Sequence, residues 1–389
     1  LTYVSDICPS MFDENVVYAA FNNTLNDDFK PYLLKSADKG RTWIPIASGL
    51  PDNGGVHTII QDHVNPDLLF CGTEFGVYAT VTGGKEWFAL KTGLPAISVK
   101  DLAIQRREND LVAGTFGRGI YILDDYTPLR HIKADDVRNE FRLFPVKDAV
   151  SFIRTSAKYG QGATYFLAPN PEYGAVFTYF LKESPLTRKE IRQKRDKELF
   201  DKGERIPIPS LDEQRREAEE HKPYLRFTVA DESGRPVRIL RAAPAAGVNR
   251  IVWDLSYPLP VPARESGSFD PFGKDPSGFM VMPGRYTVSA AKVVDSVVTP
   301  LGETQSFTVT PLAGVTLAAA DRAGLVAFQN DVAELTRAAY GADEETGVLA
   351  ARLLRIRRTA AGMPGAPDGL MPAIRQAGKT LDEDRKSVV

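Results

Sequence analysis

The chain has 389 residues, 43% hydrophobic and 25% charged, enough for two or three globular domains with real cores. A formal net charge of −2 leaves no basic field for nucleic acid or anionic lipid. No apolar run reaches the roughly 18–20 residues of a membrane-spanning helix. The opening "LTYVSDICPS" has no charged-then-apolar leader, and Leu1 reads as an internal position of a longer chain.

The first third of the sequence repeats. "SADKGRTW" at 36–43 returns 44 positions later as "TVTGGKEW" at 80–87, and "GLP" follows each copy, at 49–51 and 93–95. Strands beginning "VHTIIQ" and "VKDLAIQ" come next. "DLLFCGTEFGVYATV" (67–81) and "NDLVAGTFGRGIYIL" (109–123) then each hold two β-rich runs split by a Gly-bearing turn. Four short strands in forty-odd residues is the period of a β-propeller blade. In the first copy Asp38 is placed to accept backbone N–H groups of its own turn, and Gly40 to supply a positive φ. Trp43 is expected to start the last strand and bury its indole. In the second copy Thr82 replaces the acid, and Gly83–Gly84 are expected to make the turn by backbone freedom alone. An acid that one copy drops is a turn clamp rather than a catalytic group, so Ser36, Asp38, Gly40, Thr42 and Trp43 are read as structural.

S-x-D-x-G-x-T-W is the Asp-box, or BNR repeat, found in sialidases, some endoglucanase-type glycoside hydrolases and the sortilin-type receptor propeller. The run from "GTEFGVYATVTGGKEWFALKTGLP" to "GTFGRGIYILDDYTPLR" resembles the last blades of large bacterial secreted proteins with sortilin-like Asp-box propellers, often labelled glycosyl hydrolase. The resemblance covers about residues 1–130. It implies a secreted, periplasmic or cell-surface location and further blades upstream, since about two and a half units are legible here and propellers close with at least about four.

Beyond the repeat, 140–315 reads as an immunoglobulin-like β-sandwich, with turns at Gly160–Gly162 and Pro169–Pro171. Its "GVNRIVWDL" and "PGRYTV" strands are similar to the small sandwich of flagellar hook-capping proteins, which makes Trp253 a core residue. Residues 182–222 carry interspersed charges of both signs and read as a solvated helical insertion broken near "RIPIPS". The stretch 262–282, rich in Gly, Pro and Ser, reads as an exposed loop. From 316 to 364 two helices are expected, one with Leu325, Phe328, Val332, Leu335 and Ala339 on one face, the second stopped by Gly362 and Pro364. Residues 365–389 read as disordered or truncated. The fold class is therefore mainly β: an incomplete Asp-box propeller, a sandwich and a C-terminal helical hairpin.

Chemistry is sparse in the sequence. Glycoside hydrolysis needs two carboxylates, and the repeat region offers Asp62, Glu74, Asp124 and Asp125. Asp62 lies in a turn, and Asp124 and Asp125 lie at a strand exit. Glu74, beside a Gly turn, is the one placed to face a central channel. Arg118 in "GTFGRGIY" is a candidate contact for an anion or sugar; that glycine pattern lies inside a hairpin with no helix behind it, which argues against a nucleotide. Cys8 and Cys71 read as free thiols, although two cysteines also allow one disulfide. His57, His63, His131 and His221 are scattered, none at ligand spacing, so neither metal nor cofactor is expected. No Ser-His-Asp or Cys-His grouping is legible. Two functions remain: a binding or scaffold module for polypeptide or glycan, and, alternatively, the C-terminal part of a glycoside hydrolase whose acids lie mainly in upstream blades.

Overall fold

The computed structural model describes residues 3–91, 93–133, 138–153, 164, 166–261, 277–312 and 319–388. The chain divides into two compact units, Leu1–Glu140 and Phe141–Val389. It is mainly β, with helices at the C-terminal end.

The repeat of the first unit becomes three antiparallel sheets, each taken in chain order. Sheet 1 holds β1 (Tyr3–Pro9), β2 (Val17–Asn23), β3 (Asp28–Ser36) and β4 (Ile44–Pro45). Sheet 2 holds β5 (Val56–Gln61), β6 (Leu69–Thr73), β7 (Gly76–Thr80) and β8 (Phe88–Ala89). Sheet 3 holds β9 (Val99–Gln105), β10 (Asp110–Thr115) and β11 (Ile120–Leu123). Where the sequence predicts about two and a half units, strands fill three sheets, and among the described residues the third has no fourth strand.

The sheets stack through alternate side chains of one strand. In β6, Leu69 and Cys71 join Tyr18, Leu33, Val56 and Trp87 in the core between sheets 1 and 2. Phe70, with Leu68 just before the strand, joins Val99, Leu102 and Leu111 between sheets 2 and 3. Successive strand residues point to opposite faces, so a strand covered on both sides reads as a continuous apolar run, as "LLFC" does. Gly72 lies in β6 where β9 comes close: a Cβ there would lie 2.8 Å from the Val99 carbonyl oxygen and 2.7 Å from Thr58 Cγ2.

Polar groups fix how sheet 1 meets sheet 2. The Asp6 carboxylate accepts hydrogen bonds from Thr58 Oγ1 (2.8 Å) and the Ile59 amide (2.9 Å), and Ser5 Oγ donates to the Val56 carbonyl (2.8 Å). A register irregularity between Val4 and Asp6 frees these two residues to reach β5. At the outer side Trp87 is 6% exposed and its Nε1 donates to the Ile46 carbonyl at 2.6 Å. Trp43, its counterpart in the first copy, departs from expectation. It is 38% exposed, and its Nε1 donates to Gly40 O in its own turn at 3.0 Å. The same aromatic thus joins two sheets in one copy and braces its own turn in the other. Cys8 is half-buried and Cys71 buried; both are free thiols, and burial pushes both upward in pKa.

In the second unit β12 (Phe141–Leu143), β14 (Ala175–Leu181) and β17 (Gly247–Trp253) form a three-stranded sheet in the order β12-β14-β17. A five-stranded sheet runs β13 (Ala149–Ser151), β21 (Val297–Pro311), β20 (Gly284–Val294), β15 (Tyr224–Asp231), β16 (Pro236–Ala242). Both contribute to one core, Phe177, Tyr179 and Trp253 from the first, Phe227, Tyr286 and Phe307 from the second. Trp253 is fully buried and its Nε1 donates to Ser256 O at 3.0 Å. β18 (Ser256–Pro258) pairs with β19 (Ser277–Met280), so residues 277–280 of the expected 262–282 loop are a strand; 262–276 and the turn expected at 160–162 lie outside the described residues.

The charged stretch forms α1 (Arg188–Asp201) and α2 (Leu211–Glu219), neither with a buried residue. Each opens on a capping box, Thr187 with Glu190 and Ser210 with Glu213, and Arg192 joins the helices by a two-pronged pair with Glu217 (2.6 and 2.9 Å). At the C-terminal end, one helix, α3 (Ala319–Ala361), replaces the two expected. The "YGADEETG" between them holds glycines but no proline, and an internal glycine costs only about 1 kcal/mol. Residues expected to be disordered form α4 (Leu370–Val388), which packs on α3, and Ile374 and Ala360 are buried. No described helix is long and apolar enough to cross a membrane.

Gly72→Ala is expected to destabilise the first unit by about 1–3 kcal/mol, because the added methyl meets backbone that cannot swing away. Chemical denaturation of the full chain, followed by Trp fluorescence, measures it; an unchanged midpoint contradicts the close approach of β9.

Candidate functional site

Three carboxylates of the first unit occupy three different environments. Asp38 lies in the turn after β3, where Lys39 and Gly40 both have positive φ (61° and 84°). Its Oδ1 accepts the amides of Arg41 (3.0 Å) and Thr42 (2.8 Å) and the Ser36 hydroxyl (2.8 Å), and its Oδ2 accepts Thr42 Oγ1 (2.7 Å). These bonds, the Thr42 hydroxyl foremost, hold its pKa down at about 2. In the second copy the turn is not left to glycine freedom alone. Thr80 Oγ1 accepts the amides of Thr82 and Gly84 (both 3.2 Å), and Thr82 Oγ1 accepts that of Glu86 (3.2 Å). Two hydroxyls stand in for the Ser36–Asp38 pair.

Asp62 closes the turn after β5. Its side chain is fully buried and takes a two-pronged pair from Arg130, Nε to Oδ2 at 2.8 Å and an Nη to Oδ1 at 2.7 Å. Tyr126 donates its hydroxyl to Oδ1 (2.6 Å), and the amides of Val64 and Asn65 donate to Oδ2 (3.0 and 2.7 Å). Burial works to raise the Asp62 pKa, but the Arg130 and Tyr126 bonds outweigh it and hold the carboxyl below its usual range. Asp125, at φ 43°, accepts the Thr127 amide and hydroxyl (3.2 and 2.7 Å), and its own amide donates to Asp110. Asp124 follows the last residue of β11, half-buried.

Glu74 is different. It lies in the two-residue turn between β6 and β7, at the end of the unit where β5 and β9 begin. Its Oε2 is 2.6 Å from His57 Nε2, 3.2 Å from Ser98 Oγ and 3.6 Å from Lys100 Nζ. Asn22 comes from β2, His57 from β5, Lys100 from β9, and Ser98 immediately precedes β9, so all three sheets contribute. The bonds fix the proton on the histidine. The Thr24 amide donates to Asn22 Oδ1 (2.9 Å), which leaves Asn22 Nδ2 to donate to His57 Nδ1 (3.4 Å) and puts the imidazole hydrogen on Nε2, facing Glu74. Lys100 Nζ, 3.0 Å from that Nε2, therefore meets another donor; the Glu74 charge and the Phe116 ring face, 5.7 Å away, hold it there. Partial burial works to raise the Glu74 pKa, yet the His57 bond and the Lys100 charge prevail and keep it below the usual carboxylate range.

This geometry limits the chemistry. An ionised Glu74 is no proton donor, and a carboxylate with a lowered pKa is a weak base. Ser98 donates to that weakly basic carboxylate and not to His57, so it is poorly activated as a nucleophile. Among the described residues no second carboxylate bonds to His57, Ser98 or Lys100, and no group of three or more His, Cys, Asp and Glu is placed to hold a metal ion. The cluster instead offers Glu74 Oε1 as acceptor and the Lys100 ammonium as donor, with the exposed Phe116 ring (72%) 5.7 Å from that ammonium and the exposed Phe75 (44%) next to Glu74 in the chain. Arg118, in the β10–β11 turn, is exposed and makes no bond among the described residues; no contact joins it to this cluster. The sequence singled out Glu74 but left His57 among scattered histidines. A signal was present: His57 and Lys100 each follow the first Val of a repeated strand, "VHTIIQ" and "VKDLAIQ".

No protein-family model and no curated protein sequence matches the chain. Among solved structures it is similar to a GH74 enzyme of Niastella koreensis (20% identity over 31% of this chain and 21% of that one, TM-score 0.26). It is also similar to YCF48 bound to a D1 peptide (20% identity, 32% of this chain and 37% of that one, TM-score 0.24). A third is the extracellular domain of a hybrid two component system from B. thetaiotaomicron (9% identity, 79% of this chain and 32% of that one, TM-score 0.26). The chain thus spans between 21% and 37% of the length of these structures. Likeness of this degree bears on neither the ligand nor the reaction of this chain.

Asp62→Asn is expected to cost about 3–5 kcal/mol, because it leaves the Arg130 guanidinium without its counter-charge. The Asp62 pKa is lowered by folding, so its stabilisation is fully present above the unfolded value of about 3.9 and is lost as pH falls through the folded one. Melting curves from pH 7 to pH 2 should therefore decline less steeply in the variant; parallel curves contradict the assignment. Asp38→Ala should lower the melting temperature by a few degrees, with its own acid sensitivity between about 4 and 2, and leave ligand binding at the Glu74 end unchanged. Lost binding at full folding would make Asp38 a functional group.

Proposed function

We propose that the chain is the last part of an Asp-box propeller acting as an extracytoplasmic binding module, and that ligand is held at the Glu74 end of the stacked sheets. The three sheets are read as consecutive blades. The Asp-box turn and the repeat period support that reading, as does the up-and-down order within each sheet. The second unit, with two sheets around one Trp-centred core, is read as an immunoglobulin-like sandwich, in line with the similarity of its "GVNRIVWDL" and "PGRYTV" strands to hook-capping proteins.

The carrying observation is the ion-paired state of Glu74. Its Oε2 is engaged by His57, Ser98 and Lys100, which fixes a carboxylate in place without poising it for proton transfer. A fixed acceptor and an ammonium over the exposed Phe116 ring suit a ligand that presents hydroxyl or amide groups beside an apolar face. Sugars and polypeptides both do so. The hydrolase alternative needs a second carboxylate facing Glu74 from another blade.

The test is turnover and binding by the full chain on oligosaccharide and peptide panels, for wild type and Glu74→Gln. Binding without hydrolysis is expected, weakened about tenfold by Glu74→Gln, in line with one charge-assisted hydrogen bond of about 1.4 kcal/mol. Hydrolysis by wild type that Glu74→Gln abolishes at equal folded fraction would overturn the binding reading. Binding unchanged by the substitution would move the ligand away from this end.

A further inference from the structure

Two residues of the Glu74 end occupy the same irregular place in the repeat. β5 pairs with β6 through Val56 and Thr58, and β9 with β10 through Val99 and Asp101, so His57 and Lys100 are each the extra residue of a bulge. The first strand of sheet 1 has the same irregularity at Ser5, between Val4 and Asp6. A bulge turns a side chain away from the ladder. Ser5 Oγ is turned to the Val56 carbonyl, while His57 and Lys100 are turned to each other, Nζ lying 3.0 Å from Nε2.

His57 is the buried member of the cluster, its side chain only 9% exposed. Its two nitrogens meet opposite partners. Nε2 has the Glu74 carboxylate as acceptor at 2.6 Å, whereas Nδ1 faces Asn22 Nδ2 at 3.4 Å, a donor whose orientation is set by the Thr24 amide on Asn22 Oδ1 (2.9 Å). The neutral ring satisfies both contacts. A proton taken from solvent must go on Nδ1, where it meets another donor. It also sets a positive charge beside the Lys100 ammonium. Two cations then compete for Glu74 Oε2, the imidazole from 2.6 Å and the ammonium from 3.6 Å, and the Lys100 side chain, 44% exposed, can turn to water. The elements packed on β5 bring few other charges. Asp6 in β1 is bonded to Thr58 and Ile59, and Asp101 in β9 to the Leu102 amide; neither these nor Asp28, Lys30 and Lys35 in β3 bond to the imidazole.

We propose that His57 is a proton-operated latch on the ligand site. Neutral, it holds the Lys100 ammonium beside Glu74. With a proton on Nδ1 it keeps Glu74 Oε2 for itself and Lys100 departs. The Asn22 amide turns over to offer Oδ1 to the ring and gives up the Thr24 amide. A ligand held by Glu74 and Lys100 together is released on acidification. That consequence rests on the ligand reading of this end; the latch itself does not.

Nuclear magnetic resonance of the isotope-labelled full chain, titrated from about pH 8 to pH 5 where imidazole changes charge, tests the latch without a ligand. Melting curves at both ends of the titration verify folding. The His57 ring signals and the Thr24 amide signal should move with one midpoint. In His57→Gln, whose amide can still donate to Glu74, the Thr24 signal should stay in place. Asn22→Asp gives the ring an acceptor and an opposite charge, so the His57 midpoint should rise by at least about one pH unit, or about tenfold in proton affinity. The Thr24 signal should then move far less, since nothing has to turn over. A ring that takes up no proton while the protein is folded overturns the proposal, as does a midpoint that Asn22→Asp leaves unchanged. A Thr24 signal that ignores the ring, or moves equally in wild type and Asn22→Asp, overturns it too. For an oligosaccharide or peptide bound at neutral pH, affinity should fall at least about tenfold on acidification in the wild type and less than about threefold in His57→Gln. With the coupled titration observed, a ligand indifferent to pH upholds the latch and moves the ligand to another site.

Discussion

Every residue of β6, from Leu69 to Thr73, is buried, because sheet 1 covers one side of the strand and sheet 3 the other. The architecture of the first unit depends on that two-sided burial. A strand with no free face can supply neither a long side chain nor a flexible one at its point of closest approach, which is why Gly72 stands under Val99. The stacking also sets the distance between the starts of β5 and β9, and with it the separation of His57, Lys100 and the Glu74 turn. Hydrophobic burial drives the stacking without direction. Its angle and register come from the few polar groups that cross between sheets, Asp6 to Thr58 and Ile59 at one side, Trp87 to Ile46 at the other.

The three acids show how environment divides one chemical group among different roles. Asp38 is surrounded by donors of its own turn, Asp62 by a guanidinium, a phenol and two amides, and Glu74 by an imidazole, a hydroxyl and an ammonium. All three are held ionised, but only Glu74 keeps an oxygen without a protein partner among the described residues. Asp38 and Asp62 are satisfied from within and have nothing left to offer a ligand. The replacement of Asp38 by Thr82 in the second copy fits this division, since a hydroxyl can accept a turn amide as a carboxylate does.

The edges of the unit follow from the same geometry. Sheets that stack face to face satisfy their inner surfaces through neighbours, whereas an outermost strand must find its partner within its own sheet. β4 and β8 are only two residues long, yet each is enough to cap a sheet. Among the described residues β11 has no such cap, and its Ile120 and Ile122 are exposed because of its place at the end of sheet 3.

Much of this was legible in the sequence wherever the cause is local. The 44-residue repeat, the turn chemistry of Asp38 and the core place of Trp253 all rest on short-range rules of period, φ and alternation. The long α3 and the helical 370–388 were misjudged because isolated glycines and a polar tail are weak evidence against a helix that has a partner to pack on. The fate of Trp43 was misjudged because burial depends on whether a neighbouring sheet lies over the ring. The rest was decided by tertiary structure alone. Arg130 reaches Asp62 across 68 positions and Lys100 reaches His57 across 43. The sequence by itself determined which segments are strands and which turns hold them, since those choices are settled within a few residues. Which strand ends meet, and therefore which side chains form a site, depended on how the sheets stack, and no local pattern encodes that.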